Sequence, residues 1–181
     1  MASKISVIVA GAGAGKRFGG PVKKTFTELD GRSVMIRSLE LFVNRDDVCQ
    51  VILAVGEDDF DTVKQKFGPN LGFMGVELVR GGPVRWQTVR NALAKVSDEA
   101  ELIAVHDAVR PCLSQERITQ VFEVARKTKA AILAAPVNAT LKRVGEDKLI
   151  AKTVDRNNLY MAQTPQVFEK KLLMDAYAKL A

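Results

Sequence analysis

Residues 7–24, VIVAGAGAGKRFGGPVKK, set four apolar residues before three glycines on a two-residue period, then four cations: Lys16, Arg17, Lys23 and Lys24. An apolar run, a glycine turn and then positive charge is the order expected of a strand that delivers a loop to phosphates. Three ligand geometries compete for it. A P-loop needs GxxxxGK[ST], yet Ala10 stands at its first glycine and Arg17 at its magnesium-binding hydroxyl. A dinucleotide fingerprint needs GxGxxG, and Lys16 occupies the last glycine. The third geometry wraps a nucleoside triphosphate in the backbone amides of Ala12, Gly13, Ala14 and Gly15. Arg17 and Lys24 then flank the α-phosphate. A plain tight turn is also open to the glycines, but it leaves the cations unexplained.

Three more segments carry chemistry. RGGPVRWQTV (80–89) offers Gly81 for close approach of a base, with Arg85 and Thr88 on the helix that follows. AVHDAVRPC (104–112) ends an apolar run in His106 and Asp107. A carboxylate at the carboxyl end of a strand, among cations, suits Mg²⁺ shared with phosphates. His106 has no serine or cysteine partner, and phosphoryl transfer needs little proton movement, so a structural role is expected for it. APVNATLKR (135–143) and TVDRNNLYMAQTPQVF (153–168) contribute Thr140 and Arg156, a hydroxyl and a forked cation suited to a phosphomonoester.

The elements that must position these residues alternate. Apolar strands are expected at 5–10, 51–55, 76–79, 102–105 and 130–135. Helical periods lie between them: one over 34–43 opened by Ser33, one through Phe60, Val63 and Phe67 ended by Gly68-Pro69, one through Val84–Val96, and one through Ile118–Ala125. That alternation predicts an α/β fold, a Rossmann-like, mostly parallel sheet with helices on both faces. Ligands of such sheets bind beyond the carboxyl ends of the strands, here the loops after Ala10, Val79, Val105 and Ala135. Residues 136–156 alternate polar and apolar about Gly145-Glu146-Asp147 and predict a protruding β-arm. The whole, 1–181, is expected to be one domain with that arm inserted.

Composition bounds the partners. With 181 residues, 47% of them hydrophobic, the chain can bury roughly 70% of its unfolded surface without staples. The net charge of +6 fits a solvated basic surface or, with basic residues near the glycines, a pocket for polyanionic small molecules; nucleic acid is disfavoured, because no Lys/Arg run exceeds two residues and aromatic RNA-binding motifs are lacking. No apolar stretch approaches the length of a membrane span. Two cysteines without CxxC spacing and a single histidine argue against zinc and for a reducing compartment, so a cytoplasmic location is expected.

The order Gly13-Ala-Gly15-Lys-Arg17-Phe18…Lys24 resembles the GxGxRM…PK element of nucleotidyltransferases that make activated sugars and alcohols. The proline before that lysine is replaced by Lys23, which leaves Lys23 and Lys24 both open, with the count from Arg17 favouring Lys24. Together with GGxxRxxTV, VHDAxRP, APVxxTLKR and TVDRxxLxxAQTPQxF, the chain resembles the 2-C-methyl-D-erythritol 4-phosphate cytidylyltransferase family along essentially its whole length. The resemblance implies a CTP- and Mg²⁺-dependent enzyme of the non-mevalonate isoprenoid pathway, acting as a homodimer through a swapped β-arm. It implies Arg17 and Lys24 as catalytic, Asp107 as the metal ligand, and Gly81, Arg85 and Thr88 with the glycine-loop amides as the nucleotide pocket. Ala108 and Arg110 would touch the sugar-alcohol phosphate, and Thr140 and Arg156 would reach it from the partner's arm. Pro83 stands at an acidic position of the family, and Thr88 at a serine. The family continues with a further lysine beyond the position of Ala181, so the chain is expected to be cut short there. Ribitol-5-phosphate cytidylyltransferase shares the glycine loop and the His-Asp element and is the nearest alternative. A non-catalytic nucleotide-binding module is another.

Overall fold

Strands buried on both faces read as unbroken apolar runs, and Ile5–Gly11 (β1) is the clearest of them: six of its seven residues are buried. The computed structural model describes residues 4–13 and 23–180. After β1 come a 3-10 turn at Lys24–Phe26 and the short antiparallel pair Glu28–Leu29 (β2) and Arg32–Ser33 (β3). Then follow Val34–Glu40 (α1), Val48–Val55 (β4), Glu57–Phe73 (α2), Val76–Arg80 (β5), Arg85–Leu93 (α3), Leu102–Asp107 (β6), Gln115–Thr128 (α4) and Ala130–Pro136 (β7). Leu141–Val144 (β8), Ile150–Val154 (β9), Tyr160–Glu169 (β10) and Lys170–Ala178 (α5) complete the order.

The main sheet runs β5-β4-β1-β6-β10-β7. β1 lies parallel to both β4 and β6, and β5 parallel to β4, so their carboxyl ends share one edge. β10 alone is reversed, antiparallel to β6 and to β7. The sequence analysis expects no strand over Tyr160–Glu169, and Pro165, which cannot donate to a ladder, gives no local sign of one. The strand accommodates it with a break in register against β7 between Ala162 and Gln166. Helices cover both faces, as the alternation predicts. Met35, Leu39, Val63, Leu71, Ile118 and Phe122 bring α1, α2 and α4 onto one face. Val89, Ala92, Leu93 and Leu173 bring α3 and α5 onto the other.

Two local features decide where loops emerge. Ser33 caps α1, its hydroxyl accepting from the Ile36 N–H at 3.3 Å, and Met35, Leu39 and Phe42 are fully buried behind it. α2 does not stop at Gly68-Pro69 but continues to Phe73 with Pro69 inside it. The reason is Leu71, 2% exposed, which extends the stripe Phe60–Val63–Phe67 by another turn, while Pro69 faces solvent. β8 and β9 pair antiparallel in a sheet of their own, with Val144, Leu149 and Ile150 exposed.

Candidate active site

At the carboxyl edge of β1, β5 and β6 lies a cavity of about 1020 Å³. Three of the four predicted loops line it: Ala10–Gly13, Gly82–Arg85, and Asp107 with Val109 and Arg110. The loop after Ala135 does not. Its place is taken by Ala162, Gln163, Thr164 and Gln166 of β10, the residues around the register break. A second cavity, about 530 Å³, lies elsewhere, between the start of β6 and the end of α4 near Lys129.

β1 enters the cavity at Gly11, where a Cβ would sit 3.3 Å from the Ala108 Cβ and 3.4 Å from the Ala54 carbonyl. Ala12 and Gly13 follow and line the wall. Ala14, Gly15 and Arg17 lie outside the described residues. Lys24 is exposed and lines the cavity from the 3-10 turn. Lys23, beside it, turns away: its ammonium meets both carboxylate oxygens of Asp59, at 2.7 and 2.8 Å.

Asp107 is the one carboxylate among the described cavity residues. Arg85 Nη1 pairs with its Oδ1, and Arg110 Nε meets its Oδ2 at 2.9 Å. With Lys24, the described lining therefore carries three cations against one anion, a field that attracts a polyanion. Among the described residues no three metal-capable side chains gather. The donor set does not make a protein cage, but a single strand-end carboxylate fits Mg²⁺ held jointly by protein and substrate phosphates.

His106 organises this turn. It is fully buried and meets the Phe42 ring edge-on at 5.1 Å. Its Nε2 lies 3.1 Å from the Arg110 carbonyl, which can only accept, so Nε2 carries the proton. Nδ1 then accepts from the Thr164 hydroxyl at 3.1 Å, and that hydroxyl accepts from the Asp107 N–H at 3.2 Å. One neutral imidazole thus ties β10 to both ends of the Asp107–Arg110 turn. Burial pushes its pKa down to about 4, since a buried imidazolium loses its hydration. The structural role expected of His106 is the one it has.

Two of the expected contact residues are held by the fold itself. Ala108 is fully buried, its N–H bonded to Ala10 O and its carbonyl accepting from Ser38 Oγ, both at 3.0 Å. It packs against Gly11 and is not among the residues lining the cavity. Thr88, expected to read a base, lines the cavity but is 2% exposed, and its hydroxyl accepts from the Gly82 N–H at 3.1 Å and lies 3.0 Å from Gly82 O. A buried hydroxyl must find partners, and here the partners are the loop itself. Gly81 does lie at that loop's start, donating to Val55 O at 2.7 Å. A Cβ on it would approach the Ala12 Cβ to 2.7 Å, so the two ligand loops touch only because it is glycine.

Thr140 and Arg156 are exposed at the base of the arm and outside the cavity. Arg156 Nη1 donates to the Asn138 carbonyl, bracing one base of the arm against the other. Sequence reasoning missed Thr164, Gln163 and Gln166, although AQTPQ was among the motifs it singled out. It also missed the Lys23–Asp59 pair, which no spacing announces.

Comparison with known proteins shows the family. The model of a family described as 2-C-methyl-D-erythritol 4-phosphate cytidylyltransferase matches residues 5–181. A protein of that name from Rhodopirellula baltica is 40% identical over 189 residues, covering 98% of this chain and 77% of its own. Another from Endomicrobium trichonymphae is 41% identical over 176 residues, covering 97% and 78%. Among solved structures, 4-diphosphocytidyl-2C-methyl-D-erythritol synthase from Anaerococcus prevotii superposes with a TM-score of 0.81 at 29% identity, covering 99% of this chain and 77% of that one. A further crystal structure of that synthase superposes at 0.78 with 34% identity, covering 98% and 80%.

Proposed function

The chain belongs to the 2-C-methyl-D-erythritol 4-phosphate cytidylyltransferase family, and from that premise we propose that the strand-end cavity is where its two substrates meet. The enzyme is a nucleotidyltransferase of isoprenoid biosynthesis. It converts CTP and 2-C-methyl-D-erythritol 4-phosphate to 4-diphosphocytidyl-2-C-methyl-D-erythritol and pyrophosphate. An oxygen of the acceptor phosphate forms a bond to the α-phosphorus of CTP as the bond to pyrophosphate breaks. Negative charge grows on the α-phosphoryl oxygens, and no proton need move.

Lys24 is the cation for that charge, and the observation that carries this reading is its place in the cavity while Lys23 is held by Asp59. Arg17 is assigned the same task by resemblance. The amides of Ala12–Gly15 cradle the triphosphate, and Gly81 and Arg85 bound the nucleotide. Thr88 contributes by holding the Gly82 loop in shape. Arg110 faces the acceptor, its guanidinium aligned by Asp107. Asp107 is the residue that would hold Mg²⁺, which when bound supplies charge neutralisation and a fixed triphosphate geometry.

Thr140 and Arg156 act on the acceptor bound by a second copy of the chain. The exposed apolar residues of the arm, Val144, Leu149 and Ile150, support a homodimer that covers them. Among the described residues no helix is long and apolar enough to cross a membrane. Cys49 and Cys112 are both free and exposed, which suits the reducing cytoplasm.

Single-turnover pyrophosphate release tests the assignment. Lys24→Ala and Arg17→Ala should each lower kcat by about 10³-fold or more, as removing a transition-state cation does in other phosphoryl-transfer enzymes. A loss below about tenfold for Lys24→Ala would remove it from the mechanism.

A further inference from the structure

The Lys23–Asp59 pair stands just outside the cavity, and no step above uses it. Asp59 is the third residue of α2, after Gly56, and only 12% of its side chain is exposed. Both of its oxygens face one ammonium, that of Lys23. The Lys23 carbonyl in turn accepts from the Phe26 N–H at 2.9 Å and the Thr27 N–H at 3.2 Å. Those bonds close the 3-10 turn that carries Lys24. The same residue is thus fixed by its side chain to α2 and by its backbone to the turn that follows.

We propose that Asp59 is a positioning residue for the reaction: by holding Lys23 it sets where the turn stands and so where the Lys24 ammonium falls in the cavity. The proposal rests on the reading of Lys24 as the cation at the α-phosphate. Lys24 needs such support because its ammonium ends a flexible four-carbon stem, and a displacement of about 1 Å at a reacting group costs up to about 10²-fold. The backbone of Lys23 also shows how the tether can be replaced. Its φ is −59°, within the range a proline ring imposes, and its ψ of 140° is one that proline adopts.

A competing role for Asp59 is purely structural, a negative charge in the first turn of a helix. The two roles separate in kinetics. Asp59→Asn and Lys23→Gln should each lower kcat by about tenfold, with KM for CTP within about threefold and melting temperatures close to the parent's, since an interaction felt at the transition state is lost. Lys23→Pro introduced into the Asp59→Asn chain should restore kcat to within about threefold of the parent, because the ring stiffens the turn without the pair. A helix-charge role predicts lowered melting in Asp59→Asn, unchanged kcat in Lys23→Gln and no rescue by proline; any of the last two results overturns the proposal. Lys24→Ala is measured beside them. If it loses about 10³-fold while Asp59→Asn and Lys23→Gln stay within twofold, Lys24 stands and Asp59 falls. If Lys24→Ala itself loses less than about tenfold, the reading of Lys24 falls and the proposal with it.

Discussion

Acidification from neutral pH should weaken the fold first through His106. Its imidazole is buried, donates to Arg110 O through Nε2 and accepts from Thr164 through Nδ1, so the neutral ring is the one the fold holds. The folded pKa is depressed to about 4, from an ordinary value near 6.5. As pH falls below about 6.5 the unfolded chain takes up a proton that the folded chain refuses. The stabilisation is therefore complete above about 6.5, erodes as pH falls, and is gone below about 4. A shift of about 2.5 units corresponds to about 3 kcal/mol in all, of which about 2 kcal/mol is lost by pH 5. With a urea slope of about 2 kcal/mol/M, the unfolding midpoint should drop by about 1 M between pH 7.5 and 5. His106→Gln has no titrating ring and should show a flatter profile, so the difference between the two profiles isolates the group from carboxylates titrating below. Parallel profiles for the parent and His106→Gln would refute the argument.

Other outcomes follow from single contacts. Gly81→Ala places a methyl 2.7 Å from the Ala12 Cβ and 3.0 Å from the Thr88 Cγ2, so it should cost roughly 1–3 kcal/mol of stability and raise KM for CTP; steady-state kinetics beside urea unfolding reads both. Thr88→Val keeps the shape but leaves Gly82 N–H without its hydroxyl partner. About 1–3 kcal/mol and a raised KM for CTP are expected, and unchanged values of both would return Thr88 to a passive wall. If a second copy covers the arm as proposed, dilution in sedimentation should dissociate the pair and extinguish activity together, while Arg156→Ala should raise KM for the acceptor and leave that for CTP alone. A fully active monomer would sink the role given to the arm.

How much was legible depended on whether a residue's neighbours were local. β1, β4, β5 and β6 were readable because strands of a covered parallel sheet are short apolar runs, β7 because its half-exposed edge strand is still an apolar run, and α4 because Ile118, Val121, Phe122 and Ala125 keep one face. β10 was not, because its strand character comes from two partners far away in sequence, β6 and β7, and Pro165 argues locally against it. The end of α2 was misplaced for a related reason: a local stop signal at Gly68-Pro69 was outweighed by the burial of Leu71. In the cavity, Asp107 stood out by its type and its place at a strand end and Lys24 by its place in a run of cations, while Arg110 was marked only by resemblance. Ala108 and Thr88 sit in the same motifs, yet only packing reveals that one is fully buried and the other bonded to its own loop. Lys23 and Asp59 are 36 residues apart and meet only in the fold.

The most direct test is pyrophosphate release from CTP and Mg²⁺, with 2-C-methyl-D-erythritol 4-phosphate compared against ribitol 5-phosphate as acceptor. Turnover with the erythritol phosphate and little with the ribitol phosphate is the predicted result. Preference for ribitol 5-phosphate, or CTP binding without release on either acceptor, would contradict the account.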